Sequence, residues 1–197
     1  MSKQRCAWVT EDPIYIQYHD YEWGVPFNSL ENPEHRDEDH YLFEMLSLEG
    51  AQAGLSWITI LKRRENYRQA FDHFDPVIVS RYNEQKIKEL LNNKGIIRNK
   101  LKVRSVVTNA EAFIAIQKEF GSFSHYVWQF VGGEPILNDW ASHEDVPSTT
   151  EESIKLSKDL KKRGFKFVGP TICYAFMQAI GIVDDHTKDC FLYEQNR

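Results

Sequence analysis

STTEESIKLSKDLKKRGFKFVGPTICYAFMQAIG, Ser148 to Gly181, reads as two helices joined by a five-residue turn. Thr149 and Glu152 stand at capping-box spacing, which opens a helix by satisfying its first free N–H groups. Gly164 closes that helix, because a glycine just past a helix end takes the left-handed conformation without penalty. FKFVG is then the turn. Pro170 starts the second helix as a first-turn residue, and Ile172, Ala175, Phe176, Ala179 and Ile180 fall on one face of it.

A turn that opens a helix presents free backbone N–H groups, a favourable place for one phosphate oxygen. Lys155, Lys158, Lys161, Lys162, Arg163 and Lys166 surround this one, with only Asp159 against them. An ordinary αα-hairpin that merely packs two helices fits the spacing equally well. The formal net charge is −5, so any phosphate-binding face must be local. Much of the acidity sits elsewhere, in EDP, ENPEHRDEDH and HED.

Upstream the pattern is helical again. Leu42, Met45, Leu46, position 49 and Ala53 follow the spacing of one helix face, and position 49 is a glutamate within SLEGAQAGLSW. A carboxylate on the apolar side is expensive unless something answers it. Gly50 and Gly54 beside it read as room left for a guest. A further helix is expected from Trp57 to just before FDHFDP, closed by Pro76. NEQKIKELLNNKG gives a short amphipathic helix that stops at Gly95, and Val103, Val106, Val107, Ala110 and Ile114 a longer one. SFSHYVWQFV reads as a helix with Ser122 as N-cap. Residues 1–40 hold Pro13, Pro26, Pro33 and a polar loop from Asn28 to His40, so irregular structure with short helices is expected there. No sheet is expected: the fold class is all-α.

The 197 residues suit one substantial core or two small ones, and 42% hydrophobic with 27% charged residues exclude a disordered or fibrous chain. No stretch approaches the roughly 18 apolar residues of a membrane helix, and MSKQRCAWVTEDP has no apolar signal core. A cytoplasmic location is expected. Cys6, Cys173 and Cys190 are too few for a disulfide framework. Cys173 reads as a small buried hydrophobe. Cys6 and His19 are separated by twelve residues, His186 and Cys190 by three, the latter pair on one face of a helical turn. Two cysteines and two histidines complete a tetrahedral zinc shell with no open position, hence a structural site; in a chain with seven histidines such spacings also arise by accident.

Trp8, Tyr15, Tyr18, Trp23 and Trp57 form an aromatic group near Glu49. Aromatic residues are core formers first. Flat faces also stack on nucleobases, and a cationic ring adds a cation–π contribution.

CAWVTEDPIYIQYHDYEWGVP, LFEMLSLEGAQAGLSWITILKRRENYRQAF, KGIIRNKLKV and LKKRGFKFVGPTICYAFMQAIGIVDDH, with the trailing cysteine, resemble the 3-methyladenine DNA glycosylase I family. These blocks cover nearly the whole chain. The resemblance implies a helix-hairpin-helix glycosylase fold: a helical domain over 41–172 ending in the hairpin, and a domain built from both termini, 1–40 and 173–197, stapled by zinc. It implies zinc ligands at Cys6, His19, His186 and Cys190, and a base pocket with Glu49 as catalytic residue, Tyr18 and Trp57 most directly, and Trp8, Tyr15 and Trp23 as further lining. Its DNA-binding hairpin corresponds to FKFVG, implying contacts from Lys162, Lys166, Phe167, Val168 and Gly169. Phe167 stands where such hairpins usually carry their first glycine. The segment 28–40 looks longer than is usual in the family.

The implied activity is hydrolysis of the N-glycosidic bond of 3-methyladenine in alkylated double-stranded DNA, leaving an abasic site; no lysine is placed as an amine nucleophile, so no strand cleavage is expected, and a monomer needing no obligate protein partner is expected. The wider superfamily usually carries a catalytic aspartate beyond the hairpin, which this family lacks; Asp184 and Asp185 read as supports for His186. The residues also admit two alternatives. A noncatalytic DNA-binding module would need the hairpin but not the glutamate and aromatic group, and a zinc hydrolase would need an open coordination position.

Overall fold

The computed structural model describes residues 3–29 and 38–195. The chain is predominantly helical: α1 (Pro13–Tyr21), α2 (Glu38–Gln52), α3 (Trp57–Leu61), α4 (Arg64–Ala70), α5 (Pro76–Val79), α6 (Glu84–Asn92), α7 (Lys100–Phe120), α8 (Phe123–Trp128), α9 (Glu151–Lys162) and α10 (Pro170–Ala179). Residues 30–37 of the polar loop read at Asn28–His40 lie outside the described residues, and Glu38–His40 already belong to α2.

α2 is the axis of the core. Every residue from Tyr41 to Ala51 is buried, and α3, α7, α8 and α10 pack around it. The apolar stripe is therefore part of a helix enclosed on all sides, with Leu42, Phe43, Met45 and Leu48 at 0% exposure. Side chains of this size contribute about 1.5–3 kcal/mol each when fully buried. A charged network ties the axis to its neighbours: the Glu44 carboxylate accepts from Arg64 Nε at 2.6 Å and Arg68 Nε at 2.9 Å. Arg64 also donates to Glu22 at 2.8 Å, just beyond α1, and Tyr41 donates to the same carboxylate. Buried Asp39 accepts from the backbone N–H groups of Phe123 and Ser124, adding a second cap to α8 beside the expected N-cap, Ser122.

Several local expectations are corrected. The helix beginning at Trp57 breaks at Lys62–Arg63, and Pro76 opens α5 instead of closing a helix. Asp72, His73 and Phe74, all at positive φ, reverse the chain first, and Asp75 then caps α5 by accepting from Val77 and Ile78 N–H. A proline suits a helix's first turn as well as the position after its end, and the aspartate before it decides which. The capping box of α9 is formed by Thr150 and Ser153, one residue later than expected, since the Ser153 hydroxyl reaches back to Thr150 N–H at 2.9 Å.

One small sheet exists where none was expected. β1 (Ile136–Leu137) pairs in parallel with β2 (Val183–Asp184), which docks the segment after α8 against the chain leading to His186. From there to Cys190 the backbone forms an extended segment and a tight turn, not a helix, with Cys190 N–H donating to Thr187 at 2.8 Å. Asp184 accepts from His186 N–H and holds that turn.

Candidate active site and metal centre

Trp8, Tyr15, Tyr18, Trp23, Glu49 and Trp57, brought from the N-terminal segment, α1, α2 and the start of α3, line one cavity of about 220 Å³. That volume suits one small flat ring system; drug-sized ligands occupy roughly 300–1,000 Å³. The Tyr18 and Trp57 rings stand 5.5 Å apart at 55°, and Trp8 packs edge-on against both Tyr15 and Trp23 at 5.3 and 5.0 Å. The aromatic group thus forms walls, with Trp57 and Tyr18 buried and Trp8 and Tyr15 half-buried.

Glu49 enters this cavity from α2, the buried axis of the fold. The residue is 3% exposed, and Oε2 has no hydrogen-bond partner among the described residues. Trp57 Nε1, a donor only, is likewise buried and unpartnered. Burial alone pushes the Glu49 carboxyl up to about 8, because no cation of the protein offsets the lost hydration. An unanswered carboxyl and an unanswered indole N–H in one aromatic cavity are fitted to a guest that offers both a donor and an acceptor.

Gly50, beside Glu49, makes room for another element of the fold and not for that guest. A Cβ on Gly50 would lie 3.3 Å from Phe167 Cβ, so its missing side chain admits the α9–α10 turn. Gly54 has φ +78° and no atom within 4 Å of an added Cβ; it is there for the backbone reversal between Glu49 and Trp57. Lys102 secures the same bend from α7 by donating to the carbonyls of Ala51 and Ala53, at 2.9 and 2.6 Å.

Gln52, His143, Val146, Ala175, Gln178 and Asp185, none of them expected as lining, complete the cavity. Asp185 organises them. Its Oδ1 accepts from Asn138 Nδ2 and Trp140 Nε1, both at 2.7 Å; its Oδ2 accepts from Tyr174 hydroxyl and Gln178 Nε2, both at 2.6 Å. A carboxylate engaged by four donors is a structural anchor with no lone pair directed at a water nucleophile. It holds the segment that carries His143 and Val146 to the cavity.

Cys6, His19, His186 and Cys190 are buried together, and their donor atoms all lie within 4.8 Å of one another. Cys190 Sγ is 3.5 Å from His19 Nε2 and from His186 Nδ1, and Cys6 Sγ is 3.5 Å from His186 Nδ1. Each imidazole is held through its other nitrogen: His19 Nδ1 lies 2.8 Å from Asp20, itself gripped by Arg5, and His186 Nε2 lies 3.2 Å from the Trp23 carbonyl. This outer support, typical of metal sites, points one nitrogen of each ring at the thiols. The Cys190 thiol is pulled down by hydrogen bonds from Cys6 and both imidazoles, while Cys6 is pushed up. The four residues fit a metal ion whose shell they would complete. Trp23 bridges the two sites, edge-on to the His186 ring at 4.8 Å on one side and lining the cavity on the other.

The α9–α10 turn is fixed rather than loose. Lys162 and Lys166 are exposed, Phe167 and Gly169 half-buried, Val168 buried. Phe167 takes φ +55°, a left-handed conformation that costs a non-glycine residue roughly 1–2 kcal/mol. Neighbours hold it there: Asn109 donates to the Lys166 carbonyl at 3.0 Å and accepts from Lys166 N–H at 2.8 Å, and Ser157 donates to the Val168 carbonyl at 2.6 Å. Arg163 is taken out of the basic run by Glu119 and Asp159. Cys173 is buried beneath the turn, its thiol pushed up to about 12 by desolvation.

The methyladenine glycosylase family matches residues 8–193. DNA-3-methyladenine glycosylase 1 of Escherichia coli K12 is 47% identical over 98% of this chain and 99% of its own, and the DNA-3-methyladenine glycosylase of Haemophilus influenzae is 50% identical over 94% and 96%. A crystal structure of a 3-methyladenine DNA glycosylase I superposes with a TM-score of 0.88 at 50% identity, covering 95% of this chain and 98% of that one. The Staphylococcus aureus 3-methyladenine DNA glycosylase I, solved to explain its recognition of 3-methyladenine, superposes with a TM-score of 0.87 at 38% identity, covering 95% of each chain. The chain belongs to the methyladenine glycosylase family.

Proposed function

We propose that this protein excises 3-methyladenine from alkylated double-stranded DNA by hydrolysing its N-glycosidic bond. The observation that carries this reading is the unpartnered Glu49 Oε2 inside an aromatic cavity of single-base size. Relatives of 47–50% identity are named for the same activity.

The damaged nucleotide must leave the stack, at an unstacking cost of a few kcal/mol, to reach such a cavity. Methylation at N3 gives the base a formal positive charge and weakens its bond to the sugar. Trp57 and Tyr18 stack on the cation, and Glu49 accepts hydrogen bonds from its amine edge. A cation a few ångströms away favours the ionised carboxylate, so Glu49 gives up its proton to solvent as the base enters. Neutral adenine offers no charge to offset that buried carboxylate and is disfavoured. Water then attacks the sugar carbon, the electron pair of the breaking bond passes to the base, and the water proton goes to solvent. Positive charge moves from base to sugar within reach of the low-dielectric site occupied by Glu49. No lysine among the described residues lines the cavity, which supports a monofunctional enzyme that leaves the strand intact.

In this reading the α9–α10 turn is a helix-hairpin-helix DNA seat, with Lys162 and Lys166 toward phosphates and Phe167, Val168 and Gly169 forming the turn. The two chain ends, 1–40 and 173–197, constitute a domain closed by structural zinc on Cys6, His19, His186 and Cys190. With four protein ligands the ion stiffens the walls carrying Trp8, Tyr18 and Trp23 and takes no part in the reaction. Location in the cytoplasm and action as a monomer belong to the same proposal; no helix among the described residues is long and apolar enough to cross a membrane.

The test is release of free base from methylated duplex DNA. Release of 3-methyladenine with abasic, uncleaved strands supports the reading, and strand cleavage by the purified protein removes the monofunctional part of it. DNA binding without any release would leave a noncatalytic binding module.

A further inference from the structure

Gly50 directly follows Glu49 and is the point where α2 meets the α9–α10 turn. An ideal Cβ there would stand 3.3 Å from Phe167 Cβ and 3.5 Å from the Phe167 carbonyl oxygen, so the two backbones touch with nothing to spare. On the turn's other side Asn109 grips Lys166 through both its N–H and its carbonyl, and Ser157 grips Val168. Phe167 is thereby held at φ +55°, a conformation that a side chain adopts only when its surroundings impose it. Three elements, α7, α2 and α9, hold three successive residues of the turn, Lys166, Phe167 and Val168, and α2 carries Glu49 one position away from its contact.

We infer that Gly50 and Phe167 are a positioning pair that sets the register between the DNA seat and the base-holding carboxylate. The inference rests on the proposed reading of the turn as a DNA seat. Phosphates held at 166–169 fix where the duplex lies; the Gly50–Phe167 contact fixes where Glu49 lies relative to it. A flipped base then arrives at the carboxylate at one depth only. Neither residue touches the base, so their effect should appear only when the base is still attached to DNA.

Gly50→Ala forces the turn and α2 apart by a few tenths of an ångström. Misplacements of this order remote from the reacting atoms are expensive, so kcat/KM for excision from duplex DNA should fall by about tenfold. Affinity for free 3-methyladenine, which needs only the cavity, should stay within about twofold of the unsubstituted protein. In a Phe167→Gly background the added methyl meets no Cβ, and the same Gly50→Ala change should have less than about a twofold effect on excision. Should Gly50→Ala fail to fold, Asn109→Ala carries the test: it frees the turn from α7 and should lower excision from DNA while sparing free-base affinity.

Equal loss of free-base affinity and excision would overturn the inference, because Gly50 would then act on the cavity itself. So would an undiminished effect of Gly50→Ala in the Phe167→Gly background, or unchanged excision in both single variants. Failure of the unsubstituted protein to release base would instead overturn the proposed function, and the two failures are distinguishable.

Discussion

Glu49 and Trp57, eight residues apart around a bend held by Gly54 and Lys102, contribute to one cavity a buried carboxyl oxygen and a buried indole N–H, neither with a partner among the described residues. A helix that continued straight from α2 would have carried them to different heights. The bend turns Trp57 back to the level of Glu49, and the pair becomes a binding site at the expense of two unsatisfied polar groups.

That expense should be measurable as a pH effect on folding. Burial raises the Glu49 carboxyl from about 4.5 to about 8, so the native state holds this proton more tightly than the unfolded chain. Its contribution is fully present below about pH 4.5 and is lost as pH rises through 8. Glu49→Gln removes the ionisation, and should be more stable than the unsubstituted protein at pH 8 by about 2–4 kcal/mol. Denaturant unfolding of both proteins at pH 5 and pH 8 gives the comparison; an advantage that does not grow with pH contradicts it.

Metal removal should separate stability from chemistry. A closed four-ligand site stabilises the fold that forms it and leaves no position for water. Chelation, or Cys6→Ser, should lower the melting temperature by more than about 10 °C, on the scale of several kcal/mol for a chain of this size. Excision per folded molecule, measured well below the new midpoint, should change by less than about threefold. Abolished activity in protein that is still folded would assign the ion a chemical role.

The Glu44 carboxylate, 1% exposed and gripped by Arg64 and Arg68, is the charge on which the α2–α4 contact turns. Glu44→Ala leaves Arg64, whose side chain is 12% exposed, with Glu22 as its remaining carboxylate, and should destabilise by roughly 3–5 kcal/mol. Urea unfolding tests this; a change below about 1 kcal/mol would show that the network relaxes into water.

Asp185→Asn replaces an acceptor for four donors with an amide whose NH2 faces two of them. Loss of charged hydrogen bonds at about 1.5–3 kcal/mol each, partly compensated, should destabilise by about 2–4 kcal/mol. Amide exchange should quicken at Asn138–Val146, the wall it holds, with metal content unchanged. Unaltered exchange there would remove Asp185 as the anchor of that wall.

The inward direction of Glu49 was legible because Leu42, Met45 and Leu46 share its face, and periodicity carries direction without needing a partner. The gathering of Cys6, His19, His186 and Cys190 was legible from residue type and from resemblance, although their 186–190 segment is a turn where spacing suggested a helix. What stayed hidden is long-range. Lys102 reaches Ala51 and Ala53, Asp185 reaches Asn138 and Trp140, and Asn109 reaches Lys166 across distances in sequence that no local pattern spans. The roles of Pro76 and Gly50 were hidden for a different reason. Each residue type serves several backbone purposes, and only the neighbour it meets, Asp75 for the proline and Phe167 for Gly50, selects among them.

In the proposed mechanism an ionised Glu49 meets a cationic base. The decisive measurement is single-turnover release of 3-methyladenine from duplex DNA, compared between the unsubstituted protein and folded Glu49→Gln across pH 6 to 9. The unsubstituted protein should speed up as pH rises toward about 8, and Glu49→Gln should be slower by roughly 10²-fold at pH 8 with that slope removed. Near-normal release by Glu49→Gln at every pH would contradict the claim.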